Sequence, residues 1–420
     1  MRWWMDSSQS FSNRRVVVTG MGAVTAAGWG IGPFREALRS GDTAIGPFDR
    51  FDNASQRTHV AGQVPPRSRQ PASLKHRVGW NRLSNSDRFA LFAACEAAEE
   101  AGLEAPLAGR RVGVFFGSST AGLIETERYF EQLVHQPGSR PSRTWLASNL
   151  LCAPAETVAR HLGVDGPVET VSSACASGGL AIEQALRAVR AGEVEIALAG
   201  GADCLSLTTY SGFNSLRAVD ARACRPFRAD RAGISLGEGG AVLILETLDH
   251  ARSRGARPLA EVLGAASTCD ANHMTAPQAE GHWAAAAVKQ AIADAGLEPD
   301  VIGFVNAHGT GTPLNDAAEF AGLRRVFRER TGRLPIEATK GVVGHLLGAA
   351  GAVAAVSAVL GLIDQEVHPT PGGGDIDPTL GVDLVLGGCR ALPGVRAALL
   401  VSMGFGGANA AIVLGRWDES

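Results

Sequence analysis

Short runs of β-branched and other apolar residues alternate along this chain with longer alanine-rich stretches of helical character. In the first half, strands are predicted in the runs RRVVVTG, RRVGVFFG, PVETVSS and EIALAGG. Helices are predicted near 87–101, near 147–162 and in the segment that follows Cys175. Strands and helices that alternate in this way are typical of βα units. The pattern therefore predicts an α/β protein.

After about residue 255 the alternation starts again. Strands are predicted in PLAEVLGAAS, VIGFVNAHG, VDLVLGG and AALLVSMGFGGANAAIVLG, and helices over 283–295, over 316–328 and beyond His345. RVGVFFGSSTAG matches VIGFVNAHGTGT in pattern, and the helix after Cys175 corresponds to the helix after His345. This self-similarity predicts a duplication whose pseudo-twofold symmetry brings both helix starts to one shared site. The predicted parts are a loose tail (1–13), an N-terminal half (14–255) and a C-terminal half (256–416).

The most informative junction is VETVSSACASGGLAIEQALRAVRAG, where Cys175 lies between an extended run and a long amphipathic helix. A thiol at such an elbow is a candidate nucleophile. Lowering its pKa from about 8.5 to about 7 needs roughly 2 kcal/mol, which a partly buried helix N-terminus can supply. Taken alone, the motif is more typical of a cysteine packed in the core.

Two histidines favour the catalytic interpretation. His308 follows a β-like run in VNAHGTGTPLND, and His345 lies at a turn in ATKGVVGHLLGAAGAVAAVSAVLG. In order, SACASGG, NAHGTGTP, TKGVVGHLLGAAGA and GFGGANAA resemble the β-ketoacyl-acyl-carrier-protein synthases of the elongating, Cys-His-His kind. The nearest members are synthase II and the ketosynthase-alpha subunits of type II polyketide systems. The resemblance covers residues 14 to 415.

The resemblance implies a thiolase-like αβαβα layered fold, a homodimer and a decarboxylating Claisen condensation. Cys175 would hold the acyl group, while the N–H groups of Cys175 and Phe405 would form an oxyanion hole. His308 and His345, as neutral imidazoles that donate from Nε2, would stabilise an enolate. Lys340 and Glu319 would form a buried pair that orients them. Asp316 shares a helix face with Glu319.

Further positions concern the substrate. The hydroxyls of Thr275, Thr310 and Thr312 are predicted to bond the amides of a phosphopantetheine arm. Phe405, between glycines, is the predicted gate of the acyl pocket, and Gly406 is a predicted substrate-binding position beside it. Ala408 departs from the threonine common in the family. Thr120 stands where synthase II enzymes commonly carry isoleucine, at the far end of the acyl channel, and CRPFRADRAGISLGEGGAVLILE resembles a family loop that faces the gate.

Composition narrows the class further. The 420 residues are 45% hydrophobic, so the chain can bury a large core, and its net charge of −3 leaves no global basic field for nucleic acid. The basic cluster Lys75, His76, Arg77 and Arg82 is a candidate docking site for an acidic carrier protein.

Seven cysteines without zinc-ligand spacing argue against disulfides and a zinc site. With neither a signal peptide nor a lipid-facing span predicted, a cytoplasmic enzyme without metal or redox cofactor is expected.

Three alternatives stay open. The strand and glycines at Gly20, Gly22 and Gly28 suggest a dinucleotide loop, although Thr25 occupies the place of the third glycine in GxGxxG. The chain is also compatible with the ketosynthase subunit of a polyketide or polyene heterodimer. The third alternative, a non-catalytic chain-length partner, is disfavoured because such subunits lack the nucleophile that Cys175 provides.

Overall fold

The structure, a computed structural model, describes residues 14–74 and 79–418. The predicted tail 1–13 and the residues Lys75, His76 and Arg77 lie outside the described residues, whereas Arg82 is exposed. The strands in the described ranges are β1 (Val16–Thr25), β2 (Gly28–Trp29), β3 (Gly46–Pro47), β4 (Val60–Ala61), β5 (Val112–Gly117), β6 (Val168–Val171), β7 (Ile196–Asp203), β8 (Gly239–Thr247), β9 (Ala260–Cys269), β10 (Ile302–Asn306), β11 (Ile336–Glu337), β12 (Glu366–Val367), β13 (Arg390–Ala391), β14 (Ala397–Met403) and β15 (Ala408–Arg416).

The helices in the same ranges are α1 (Ile31–Ser40), α2 (Asn85–Glu100), α3 (Leu123–His135), α4 (Thr144–Ala147), α5 (Ala153–Leu162), α6 (Ser177–Ala191), α7 (Leu207–Ser215), α8 (Leu248–Ser253), α9 (His282–Asp294), α10 (Pro313–Phe327), α11 (Lys340–Val343) and α12 (Ala350–Asp364). Short 3₁₀ turns lie at Trp80–Arg82, Pro299–Val301, Arg328–Arg333 and Leu347–Ala349.

The main sheet repeats one strand order twice. Its path runs β11-β10-β14-β15-β9-β1-β8-β7-β5-β6, with β2 paired to β1. The first half contributes the five strands β1, β5, β6, β7 and β8. From the edge of the sheet to its middle these lie as the third, second, fourth, fifth and first strand in chain order. The second half contributes β9, β10, β11, β14 and β15, which lie in the same order from the opposite edge. The halves join where β1 pairs with β9 at Val17↔Glu261 and Val18↔Ala260. The predicted duplication is therefore visible in the topology, while the division at 255/256, between α8 and β9, stays a prediction.

Helices α6 and α12 form the central layer. Both contact strands of both halves, and their apolar side chains share one core with residues of β1, β7, β8 and β14. On the outer faces, α2 and α5 pack on the first half, and α9 and α10 cover the second. This is the predicted αβαβα layering. The apolar segment Leu347–Asp364 would be long enough to cross a membrane, yet 89% of it is buried in the protein, because it belongs to this central layer.

Three local predictions are wrong. The run VDLVLGG (382–388) is not a strand; it makes one bridge, Leu384 to Ile336, because its neighbour β11 is only two residues long. The predicted helix over 147–162 is shorter in the structure: α4 ends at Ala147, residues 148–152 form turns, and α5 begins at Ala153, since Pro154 in its first turn favours a start there. The central strand β8, which pairs with β1 and β7, lies in a segment assigned above to a loop.

The starts of the two central helices touch backbone to backbone. A Cβ placed on Gly351 would lie 2.4 Å from the backbone nitrogen of Gly179, and one on Gly178 would lie 2.8 Å from the carbonyl oxygen of Gly348. Only glycine permits so close an approach. These contacts place the turn that carries Cys175 beside the turn that carries His345.

Candidate active site

Cys175 lies at a sharp elbow between β6 and α6. The preceding residue, Ala174, has φ 46°, a left-handed conformation that costs free energy for a residue with a side chain. The hydroxyls of Ser119 (2.9 Å) and Ser177 donate to the carbonyl of Ala174, and Ser402 Oγ donates to the carbonyl of Cys175 at 3.2 Å. These bonds hold the strained turn, so the position of the sulfur is fixed before substrate arrives.

The Cys175 thiol is 7% exposed, and burial raises its pKa to about 11. The positive charge of Lys340 and the backbone N–H groups of Phe405 and Cys175 act in the opposite direction. The lowered pKa predicted from the helix N-terminus is therefore wrong for the resting site, because desolvation outweighs these effects. Both N–H groups approach the sulfur, and the oxyanion hole that they would form around a bound thioester stays a prediction.

His308 follows β10 and is held from behind by Lys340. The Lys340 ammonium lies 3.2 Å from Nδ1 of His308 and also donates to the His308 carbonyl. Burial lowers the pKa of His308 well below its ordinary value, and the Lys340 charge lowers it further. An imidazole whose Nδ1 accepts from an ammonium carries its proton on Nε2. The ring is thus a neutral Nε2–H donor.

His345 reaches the same state by a different contact. The backbone N–H of Leu347 donates to Nδ1 of His345 at 3.1 Å, so this proton also sits on Nε2. Burial lowers the pKa of His345 well below its ordinary value. The centroids of the two imidazoles are 5.6 Å apart with their planes at 85°. The sequence analysis missed Leu347, whose φ of 52° gives it a left-handed backbone.

Lys340, Glu319 and Asp316 lie behind the histidines, all buried. Lys340 and Glu319 are both buried and their charges interact, but in the described part of the chain no nitrogen–oxygen contact within 4.0 Å joins them. Glu319 instead accepts from the N–H groups of His308 (2.6 Å) and Gly309 (2.8 Å), which the tight turn brings closer than the lysine. Burial raises the pKa of Glu319 to about 7 and lowers that of Lys340 to about 8.

Asp316 organises the neighbouring loop. Its carboxylate accepts from the N–H groups of Phe227 (2.7 Å), Thr310 (3.1 Å) and Gly311 (3.1 Å). Thr312 caps α10 by accepting from Asn315 N–H, and its hydroxyl lies 3.0 Å from that of Thr310. The loop after His308 is therefore fixed from both sides.

A cavity of 290 Å³ brings most of the predicted residues together. Its lining includes Cys175, His308, His345, Phe405, Thr275, Thr310 and Thr312. Thr120 is not part of this lining; its hydroxyl donates to the Cys204 carbonyl at 3.3 Å. Gly406 is also not part of this lining; it is exposed, and its N–H donates to the Met274 carbonyl at 2.7 Å. One cavity thus joins the thiol, both imidazoles and three threonines.

Phe405 stands at the mouth of this cavity. It is 36% exposed and stacks on Phe213, with centroids 5.7 Å apart. The next residues, Gly406 and Gly407, have φ of 86° and 87°, which residues with side chains rarely adopt. An exposed ring beside two conformationally free glycines has the properties of the predicted gate.

Asp203 is a further residue of the site that the sequence analysis missed. Its fully buried carboxylate accepts from the N–H groups of Ser119, Thr120 and Ala121, and from Gly348 N–H at 2.7 Å. It therefore ties a loop of the first half to the turn after His345. Its place at the end of the apolar run of β7 was a usable signal, because strand ends gather functional residues.

Comparison with known proteins agrees with this geometry. The profile "Beta-ketoacyl synthase, N-terminal domain" matches residues 13–251, and "Beta-ketoacyl synthase, C-terminal domain" matches 259–373. The 3-oxoacyl-[acyl-carrier-protein] synthase 2 of Synechocystis sp. is 35% identical over 97% of this chain and 100% of its own length.

Solved structures give the same result. The ishigamide ketosynthase/chain length factor has a TM-score of 0.90 and 32% identity, covering 96% of this chain and all of that one. A type II PKS ketosynthase bound to the hexaketide, in complex with its acyl-carrier protein, has a TM-score of 0.87 and 29% identity, with the same coverage. With a thiolase-like fold, a buried thiol and two Nε2–H imidazoles on one cavity, this chain belongs to the beta-ketoacyl synthase family.

Proposed function

We propose that this chain condenses an acyl-carrier thioester with a malonyl-carrier thioester to give a 3-oxoacyl-carrier thioester and CO₂. The observation that carries the proposal is the cavity shared by the Cys175 thiol and two neutral imidazoles that donate from Nε2. A thiol suits acyl transfer, and paired neutral donors suit an enolate.

In the first half-reaction the Cys175 sulfur attacks the acyl thioester. The new bond joins sulfur to the acyl carbon, the bond to the carrier sulfur breaks, and the thiol proton leaves with the carrier thiol. Because burial keeps the resting thiol protonated, transfer requires proton loss as the substrate binds. The N–H groups of Cys175 and Phe405 stabilise the tetrahedral oxyanion.

In the second half-reaction the malonyl carboxylate leaves as CO₂. The remaining electron pair is delocalised onto the thioester oxygen, which accepts from Nε2–H of His308 and of His345. The enolate carbon then attacks the acyl group on Cys175, and the cysteine leaves as a thiolate that takes up one proton. Lys340, Glu319 and Asp316 act as positioning residues, since they bond the loop and ring of His308 rather than the cavity.

Partners follow from the relatives. The substrates are proposed to arrive on the phosphopantetheine arm of an acyl carrier protein, past Thr275, Thr310 and Thr312, without a further cofactor. The proposed assembly is a homodimer. A heterodimer with a chain-length subunit is the second candidate, favoured by the 0.90 TM-score with the ishigamide ketosynthase/chain length factor. All seven cysteines are free thiols, which supports the proposed cytoplasmic location.

The experiment that tests the function is reconstitution of the purified chain with a panel of acyl-carrier thioesters and malonyl-carrier thioester. Mass spectrometry of the carrier identifies the product. A 3-oxoacyl carrier two carbons longer than the starter supports the proposal, and formation with this chain alone supports the homodimer. Product only after addition of a second subunit supports the heterodimer, while an acylated enzyme that never extends its starter contradicts the proposed reaction.

Acyl-chain length is predicted to depend on Thr120. If this position walls the far end of the acyl channel, the larger side chain of Thr120→Ile fills about one or two methylene volumes of the channel. Such a difference is worth roughly 1 to 3 kcal/mol of discrimination between acyl chains. We expect the variant to prefer shorter chains, as measured by the acyl-length profile. Thr120→Val is the matched control, because it keeps the size and removes the hydroxyl that bonds Cys204. An unchanged profile in Thr120→Ile removes this residue from the pocket wall.

The pH profile of malonyl decarboxylation is predicted to depend on Lys340. Because both histidines have pKa values well below 6.5, they stay neutral donors, and their protonation should not lower the wild-type rate between pH 8 and pH 6, the range in which Lys340 and Glu319 change charge. Lys340→Met removes a positive charge that lowers the pKa of His308. As the pH is lowered, the rate of this variant should therefore begin to fall at a higher pH than the wild-type rate. A wild-type rate that already falls near pH 6.5 would contradict the assigned neutral imidazoles.

A further inference from the structure

A second cluster of ligand-type side chains lies at the opposite end of α12 from His345. Asp364 ends the helix, Gln365 turns the chain with φ 53°, and Glu366 and His368 follow in an extended segment. Alternate residues of an extended segment share a face. One ligand atom from each of Asp364, Glu366 and His368 lies within 4.8 Å of the other two.

His368 is prepared as a metal ligand. It is 1% exposed, and its Nδ1 lies 3.1 Å from Oε2 of Glu337. Because the carboxylate accepts, the proton sits on Nδ1 and Nε2 carries a free lone pair. That Nε2 is buried and has no hydrogen-bond partner, an arrangement that costs free energy unless something binds there. A carboxylate behind a histidine is the usual second layer of a metal site.

Glu337 is itself held in place. Its Oε1 accepts from Asn306 Nδ2 at 2.6 Å and from Ser357 Oγ at 3.0 Å, and its Oε2 accepts from His368 N–H at 2.8 Å. These bonds fix the orientation of the His368 ring. The lone pair of Nε2 therefore has one direction, rather than being free to turn toward another donor.

Glu366 supplies the second buried carboxylate. Its Oε1 makes no hydrogen bond, but it is ion-paired with Arg39 at 3.3 Å. The Cys389 thiol bonds Glu366 and also lies 3.7 Å from the Arg39 carbonyl. The donors that converge are thus one imidazole and two carboxylates, and a thiol lies next to one of the carboxylates.

Two arginines accompany the carboxylates. Arg35 bonds Asp364 with both nitrogens of its fork, and Arg39 lies 3.3 Å from Glu366 Oε1. Both arginine side chains are more than 40% exposed, whereas the carboxylates are largely buried. A metal ion has to displace these guanidiniums from the buried carboxylates; their exposed, flexible stems let them turn to solvent, and the ion then compensates the carboxylate charges in their place.

We propose that Asp364, Glu366 and His368, with Cys389 as a fourth donor, bind a divalent transition-metal ion of the Zn²⁺ class. Imidazole and thiolate favour such ions over Mg²⁺ and Ca²⁺, which take oxygen ligands. Ligand atoms in tetrahedral zinc sites are about 3.4 Å apart. Side-chain movements of about an ångström would bring the three ligand atoms, now within 4.8 Å of one another, to that spacing. This departs from the predicted lack of a zinc site, because D-x-E-x-H with a distant cysteine is not a zinc-finger spacing.

The site is linked to the active site through Glu337. Asn306, which bonds Glu337, ends β10 two residues before His308, and it also donates to Thr339 Oγ1 at 2.9 Å, next to Lys340. A metal ion on His368 fixes Glu337 through Nδ1–H. The ion is therefore a structural one that stabilises the loops of His308 and Lys340 without touching the substrate.

The test uses the full chain with Cys175→Ala, so that the catalytic thiol binds no metal. After treatment with a chelator, the protein is titrated with ZnCl₂ by calorimetry, and with Co²⁺ to detect thiolate-to-cobalt absorption. We expect one Zn²⁺ per chain, at least about tenfold weaker binding in Glu366→Gln and His368→Gln, and loss of the cobalt band in Cys389→Ser. His59→Gln, at an exposed histidine bonded to Asn53, is the matched control and should bind like the parent.

The outcomes separate clearly. No stoichiometric Zn²⁺ binding by the parent, or equal affinity in Glu366→Gln and His368→Gln, overturns the site. A cobalt band that persists in Cys389→Ser overturns the role of that cysteine. If His368→Gln does not fold, Glu366→Gln alone decides, since the amide keeps the size of this side chain and Oε1 has no hydrogen bond, only the ion pair with the exposed Arg39, to lose.

Discussion

Cys175→Ala is expected to abolish both condensation and covalent acyl uptake, with a loss of about 10⁶ in turnover, as for other nucleophile deletions. The residue stands at a strained elbow, with two backbone N–H groups directed at its sulfur. No other thiol lines the cavity among the described residues. Intact-mass measurement after incubation with an acyl-carrier thioester checks the prediction.

The matched control is Cys152→Ala, at a half-buried thiol that begins α5. It should take up one acyl group per chain, like the wild type. Single-site acylation that survives in Cys175→Ala would show that another residue is the nucleophile.

His308→Ala and His345→Ala are expected to separate the two half-reactions. Each variant removes one Nε2–H donor to the enolate, which costs about 10²- to 10³-fold in decarboxylation. Acylation of Cys175 should remain measurable, because the oxyanion hole consists of backbone N–H groups. The measurements are CO₂ release from malonyl-carrier thioester and acyl uptake, made on the same preparations.

His59→Ala, at an exposed histidine, should leave both half-reactions at the wild-type rate. Equal losses of acylation and decarboxylation in both His308→Ala and His345→Ala would contradict the division of roles. It would indicate instead that the imidazoles act mainly in forming the Cys175 thiolate.

Much of the fold could be predicted from local patterns. Alternating apolar runs and alanine-rich helices identified most strands and central helices, and self-similarity identified the duplication that appears in the repeated strand order. Strand β8 was missed because its apolar run follows a glycine-rich segment that resembles a loop. The run 382–388 was wrongly predicted as a strand, since pairing depends on the length of a partner that the sequence pattern does not reveal.

The site shows the same division between local and distant information. The motifs identified Cys175, His308 and His345, and the cavity joins them. The direction of the Cys175 pKa shift was wrong because burial arises from elements far apart in the chain. Likewise, the tautomer of His345 depends on the N–H of Leu347, and the bond from Asp203 to Gly348 crosses between the halves.

The most direct test of the central claim is a single turnover of the acylated enzyme. Enzyme that carries one acyl group on Cys175 is isolated, mixed with malonyl-carrier thioester, and followed for CO₂, product and the mass of the enzyme. The proposed function predicts one CO₂ and one 3-oxoacyl carrier for each acyl group lost from Cys175. Loss of the acyl group as free acid, or CO₂ release without carbon–carbon bond formation, would contradict it.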